Sequence, residues 1–156
     1  MLQNLFLPEY IKVGLEAEDK DEVFEELSDH LCRADHSDLR EEILDALIER
    51  EAKMSTGIQK GIAIPHGKTS AISSVKGVLG ISKKGIDYDA LDGEPVYLLF
   101  TIIAPPAESD KHLRILKRLS ELLENPRFSN DLQAQNDSLG AFKIIKKYED
   151  ELIALE

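Results

Sequence analysis

The ten residues Pro95-Val96-Tyr97-Leu98-Leu99-Phe100-Thr101-Ile102-Ile103-Ala104 form a near-continuous apolar run, ended by Pro105-Pro106. A strand buried on one face alternates apolar and polar residues, whereas a strand covered on both faces has no polar side to spare. This run is therefore the best candidate for a central, doubly covered strand. Around it, apolar residues recur at helical spacing. Val23, Phe24, Leu27 and Leu31 mark a helix opened by Asp19 or Lys20 and reaching about Arg33. Leu39, Ile43, Leu44, Leu47 and Ile48 mark a second, capped by Ser37 and reaching about Lys53. Leu113, Leu116, Leu119 and Leu123, flanked by Ile115 and Leu122, mark a third, capped by Ser109 or Asp110 and stopped at Asn125-Pro126. The lead-in Leu5 to Ile11, broken by Pro8, reads as an edge strand after a turn. Gly77 to Ser82 reads as a strand, Ile86-Asp87-Tyr88 as a brief extended piece and Leu91 to Glu94 as a turn. A short amphipathic segment surrounds Leu132, and a last helix spans about Leu139 to Tyr148. This alternation is compatible with an α/β fold.

Composition narrows the function classes. A length of 156 residues suits one domain, and 42% hydrophobic with 31% charged residues is an ordinary soluble balance. No apolar run approaches the ~20 residues a membrane helix needs. The N-terminus lacks the basic segment and cleavage site of a signal peptide. Cys32 has no second cysteine to pair with, so nothing asks for an oxidising compartment, and the cytoplasm is the expected location. A formal net charge of −11 argues against nucleic acid and against an anionic membrane surface. It suits a basic protein partner and, equally, simple solubility.

Chemistry concentrates in Gly61-Ile62-Ala63-Ile64-Pro65-His66-Gly67. Ile62, Ala63 and Ile64 read as a buried strand that Pro65 must stop, because proline cannot donate to a sheet ladder. Gly67 permits a turn that a Cβ would obstruct. His66 is thereby held at a strand end, where α/β folds place reactive groups. Taken alone, His66 serves as well as a structural histidine satisfying a turn carbonyl. Arg50, in the last turn of its helix, is explained by the helix dipole. His112 falls in the first turn of the helix after the central strand, where the dipole disfavours a cation, so a neutral imidazole is expected. His30 and Cys32, at the end of the first helix, read as structural.

The segment Gly57-Ile58-Gln59-Lys60-Gly61-Ile62-Ala63-Ile64-Pro65-His66-Gly67 resembles the active-site signature of the fructose/mannitol-type (type 2) IIA domain of the bacterial phosphoenolpyruvate:sugar phosphotransferase system. That family includes the nitrogen-regulatory IIA protein. The resemblance runs through the whole chain and implies one IIA domain over residues 1–156, with no fused transport or HPr-like module. It implies a mixed sheet of about five strands with helices on both faces. It assigns His66 as phosphoryl acceptor, His112, in its His112-Leu113 context, as the second active-site histidine, and Arg50, in Glu49-Arg50-Glu51, as the arginine that reaches the first. Pro65, Gly67, Lys68 and Thr69, in the hydroxyl-rich turn, would contact phosphate or partner.

The implied reaction moves a phosphoryl group from phosphohistidine HPr, or a nitrogen-branch homologue, onto His66, at Nε2 with Nδ1–H anchored on a carbonyl. From there it would pass to a IIB component. Such a transition state spreads charge over three oxygens, which a guanidinium and an imidazole can stabilise. No metal or other cofactor is called for, since the phosphoryl group arrives activated. The spacing offers no HExxH or CxxC metal motif, no GxSxG hydrolase elbow and no GxxxxGK[ST] phosphate loop. The rival reading is a regulator whose His66 phosphorylation only switches which proteins it binds. The apparent lack of a IIB or membrane segment leans slightly toward that regulator.

Overall fold

The apolar run at Val96–Ala104 is the middle strand of a six-stranded sheet. The computed structural model describes all residues from Met1 to Glu156. In order, the chain forms α1 (Leu2–Leu5), a 3-10 turn (Pro8–Tyr10), β1 (Ile11–Val13), α2 (Lys20–Asp35), α3 (Arg40–Glu51), β2 (Gly57–Gln59), β3 (Ile62–Ala63) and β4 (His66–Lys68). It continues through β5 (Lys76–Ile86), β6 (Val96–Ala104), a 3-10 turn (Pro106–Glu108), α4 (Ser109–Leu123), α5 (Pro126–Gln133) and α6 (Ser138–Ala154). The strand order is β1-β5-β6-β3-β2, with β4 also paired to β6. β5 and β6 are antiparallel, while β1 on β5 and both β3 and β4 on β6 are parallel, so the sheet is mixed.

The sheet has a core on each face. Leu98, Phe100, Ile102 and Ala104 of β6 pack with Ile115, Leu119 and Leu122 of α4, Phe128 of α5 and Ile145 of α6. Leu99 and Ile103 point the other way and meet Val23, Phe24 and Leu27 of α2 with Ile43 and Leu47 of α3. That explains why β6 shows no polar alternation. No helix is long and apolar enough to cross a membrane.

Local chemistry accounts for the boundaries. Asp19 caps α2 by accepting from the Glu22 amide, as its position suggested. Ser37 does not cap α3. Its amide donates to the Cys32 carbonyl, while His36 takes a left-handed conformation at φ 53° to close α2, so α3 begins only at Arg40. The two extended pieces expected between Gly77 and Tyr88 are one strand, β5, whose register shifts between Ile81 and Ile86. The edge strand expected over Leu5 to Ile11 is not there: Leu5 ends α1, Pro8–Tyr10 form a 3-10 turn that Pro8 opens, and the edge strand β1 begins only at Ile11.

α4 turns a different face inward from the one expected: His112, Ile115, Leu119 and Leu122 are buried, and Leu113 is 64% exposed. α6 runs two turns past Tyr148, because Glu149 is fully buried and its carboxylate accepts from the amides of Leu2 and Gln3.

Candidate active site

The segment carrying His66 is built as a hairpin followed by a step. β2 and β3 are antiparallel, joined at Lys60 (φ 53°) and Gly61 (φ 79°), two positive φ values in succession as a tight hairpin turn requires. β3 pairs with the first half of β6, Ile62 opposite Leu98. Pro65 has no amide hydrogen, yet its carbonyl accepts from Ile102, and β4 resumes along the same edge with His66 opposite Ile102. His66 therefore sits inside a short strand at the carboxyl end of β6, where open α/β sheets form their crevices.

Gly67 has a role different from a turn. It lies in β4 directly under α3, and a Cβ there would stand 2.6 Å from the Ala46 carbonyl oxygen. Only glycine lets the helix come so near. This close approach sets the far turn of α3, with Arg50, beside His66.

The result is a cleft of about 430 Å³ between α3, β4 and α4. Its walls hold Ala46, Glu49, Arg50 and Lys53 from α3 and its end, His66, Gly67 and Lys68 from β4, and Ser109, His112, Leu113 and Leu116 from α4. The rings of His66 and His112 stand edge to face, with centroids 5.5 Å apart and planes at 74°. His66 Nδ1 lies 2.8 Å from the Ile64 carbonyl oxygen. A carbonyl can only accept, so Nδ1 carries the hydrogen and Nε2 of the neutral ring keeps its lone pair.

Burial lowers the His66 pKa from its ordinary value; the bond to Ile64 works against this, and the Arg50 charge adds to the depression. Burial also pushes His112 down, to about 4, with the His66 ring and the Lys68 ammonium contributing. Both rings are neutral at pH 7, as the helix dipole led us to expect for His112. His112 Nε2 is buried with no hydrogen-bond partner. Arg50 Nη1 donates to the Met54 carbonyl at 2.9 Å, which holds the guanidinium stem against the loop after α3.

Of the residues singled out from sequence, His66, His112, Arg50, Gly67 and Lys68 line one cleft. Pro65 is buried behind it, and Thr69 turns its hydroxyl to the Ala71 amide outside the cleft wall. The hydroxyl that does face the cleft is Ser109, which accepts from Lys68 Nζ at 2.9 Å and donates to the Pro106 carbonyl. Glu49 and Lys53 also line the wall without having been singled out as site residues. Their only signal in the sequence is nearness to Arg50: Glu49 precedes it on α3, and Lys53 lies in the turn just after the helix.

Comparison with known proteins places the chain in a family. The chain matches the family described as "Phosphoenolpyruvate-dependent sugar phosphotransferase system, EIIA 2" over residues 4–148. It is 34% identical over 148 residues to the fructose-specific EIIABC component of Bacillus subtilis, covering 95% of this chain and 23% of that protein. It is 44% identical over 104 residues to the fructose-specific EIIA component of Haloferax volcanii, covering 67% of this chain and 68% of that protein. Among solved structures, the nitrogen regulatory protein IIA-Ntr of Neisseria meningitidis superposes with a TM-score of 0.84 at 25% identity, covering 92% of this chain and 97% of that one. The fold also matches the mannitol IIA in the Escherichia coli complex of IIA with phosphorylated IIB, at a TM-score of 0.73 and 19% identity over 89% and 95% of the two chains. With a family match running from residue 4 to residue 148, the chain belongs to the EIIA 2 family of the phosphoenolpyruvate-dependent sugar phosphotransferase system.

Proposed function

We propose that residues 1–156 act as one phosphocarrier unit in which His66 accepts a phosphoryl group from a phosphohistidine protein, HPr or a nitrogen-branch homologue, and passes it to a IIB component. The observation that carries this reading is the pair of facing histidines, one of which has its Nδ1–H held by a carbonyl so that Nε2 keeps the lone pair. His66 Nε2 attacks phosphorus as the N–P bond of the donor breaks, and the donor ring leaves with that bond's electron pair. The positive charge developing on the His66 ring is steadied by the Nδ1–H bond to Ile64. Arg50 supplies a guanidinium to the phosphoryl oxygens, and Lys68 an ammonium. The unpartnered nitrogen of His112 has the chemistry to donate to the same oxygens, once its ring turns or its tautomer shifts. Positioning and charge stabilisation are most of what phosphoryl transfer asks of a protein.

A second reading keeps the phosphorylation and changes its consequence. The nitrogen regulatory protein of Neisseria meningitidis matches over 97% of its length, which supports a regulator that binds target proteins differently in its two states. A phosphoryl group adds roughly −1.5 to −2 charges to the cleft, enough to switch a partner. The acceptor separates the readings: a carrier loses its phosphate to a IIB protein, and a regulator retains it.

The test is intact-mass and phosphopeptide analysis after incubation with phosphoenolpyruvate, enzyme I and HPr. Native protein should gain one acid-labile phosphate, absent in His66→Ala and present but formed more slowly in His112→Ala. A native chain that stays unmodified with a cognate donor defeats the reading.

A further inference from the structure

One residue past Arg50, the Glu51 side chain is only 6% exposed. Its carboxylate accepts from the Thr56 amide at 2.9 Å, from Thr56 Oγ1 at 2.6 Å and from Tyr88 OH at 3.3 Å, and it pairs with Lys20 Nζ at 2.9 Å. Tyr88 is fully buried and its hydroxyl also meets Thr56 Oγ1 at 2.7 Å. From Thr56 the bonding leads straight to the nucleophile. The Thr56 carbonyl accepts from the Ile64 amide at 3.0 Å, and the Ile64 carbonyl is the one that holds His66 Nδ1.

We propose that Glu51 is a positioning residue for phosphoryl transfer, tying the helix turn that bears Arg50 to the carbonyl that sets the tautomer of His66. This deepens the reading of His66 as phosphoryl acceptor and rests on it. The carboxylate does not touch the reacting atoms. It fixes Thr56, Thr56 fixes Ile64, and Ile64 fixes the ring. The next residue, Gly57 at the start of β2, is tightly packed, since a Cβ there would lie 2.7 Å from Ala90 Cβ and 2.8 Å from the Tyr88 ring.

A purely structural role explains less. A buried ion pair is a poor source of stability, and apolar residues of similar volume commonly serve as well. What a carboxylate adds is direction. Its oxygens hold one amide and one hydroxyl of the same residue, so the Thr56 backbone is anchored next to the carbonyl that meets the Ile64 amide. The tautomer matters because free histidine prefers its hydrogen on Nε2, which would occupy the attacking lone pair. Holding the hydrogen on Nδ1 is thus a condition of reactivity.

The experiment compares native protein, Glu51→Gln, Thr56→Val and Thr56→Ser by imidazole nitrogen resonances at neutral pH and by the rate of phosphoryl acceptance from phosphorylated HPr. In native protein the His66 hydrogen should reside on Nδ1. In Glu51→Gln and Thr56→Val it should shift toward Nε2 and the rate fall about tenfold, as expected of a misplaced reacting group. Thr56→Ser, which retains the hydroxyl, should restore both. Should Glu51→Gln fail to fold, Thr56→Val decides, since it keeps the shape of the side chain. Folded variants with lowered urea resistance but the native tautomer and rate would overturn the proposal, as would a native His66 with its hydrogen on Nε2. The resonances need no phosphoryl donor, so failure of positioning and failure of the carrier reading are seen separately.

Discussion

Two neutral histidines facing one another make the cleft sensitive to acid in two ways. Only an unprotonated Nε2 can attack phosphorus, and burial, reinforced by the Arg50 charge, keeps His66 unprotonated below its ordinary pKa of 6.5. Phosphoryl acceptance should therefore be flat between about pH 8 and pH 7 and fall through a midpoint below 6.5. Arg50→Gln should lower the rate and move that midpoint up, because it removes a charge that opposes protonation. Rates taken across a pH series with excess donor check both. Stability follows from His112. The unfolded ring takes up a proton near 6.5, and the buried ring refuses it until about 4. Between those values the unfolded chain binds more protons, so this contribution is whole above 6.5 and is lost as pH falls toward 4. Urea midpoints at about pH 7 and pH 5 should differ less in His112→Asn than in native protein. Equal differences would mean that His112 is not the group responsible.

The contact between α3 and β4 decides where Arg50 stands. In Gly67→Ala the new methyl would meet the Ala46 carbonyl at 2.6 Å, and that carbonyl belongs to a helix backbone that cannot swing aside. The helix must shift, at a cost of about 1–3 kcal/mol in urea unfolding. Phosphoryl acceptance should fall more than stability alone implies, because the shift carries Arg50 away. Ala46→Gly should not rescue it, since the clash is with the carbonyl; a rescue would place the contact on the Ala46 side chain instead. Such elements also show what sequence can carry. The central strand and the Asp19 cap were legible because each is written in adjacent residues. The face of α4 was misjudged because the first of its four buried positions is a histidine, and leucines at 113 and 116 offered a competing stripe. Glu149 hid the end of α6 in the same manner, as a charge used in the interior. In the cleft, the residues around His66 marked a strand end but left its role open, and Gly67 makes a close helix contact rather than the turn read for it. The convergence of Arg50 and His112 on it came from family resemblance alone, since spacing along the chain encodes no distance between elements. The Lys68–Ser109 link stayed hidden for that reason.

Across the whole molecule, the cleft is assembled from opposite layers. Arg50 belongs to α3, which packs on one face of the sheet, and His112 to α4, which packs on the other. β6 is their shared support, and its alternate residues enter both cores: Phe100 stacks with Phe128 and meets Phe6 edge-on, while Leu99 faces α2 and α3. A site divided between two layers persists only if the layers unfold together. Phe100→Ala should cost about 3–5 kcal/mol and Leu99→Ala about 2–5 kcal/mol. Each is made on one face, and each should lower the urea midpoint on both. Methyl resonances of Leu27 and Leu47 report the α2–α3 core, and those of Leu119 and Ile145 the α4–α6 core. Coincident transitions in both variants are expected of one cooperative unit. If Phe100→Ala melted the α4–α6 methyls first while Leu27 and Leu47 kept the native midpoint, the faces would be separate units. The His66–His112 pairing would then be lost before the protein unfolds, and phosphoryl acceptance would follow the earlier transition.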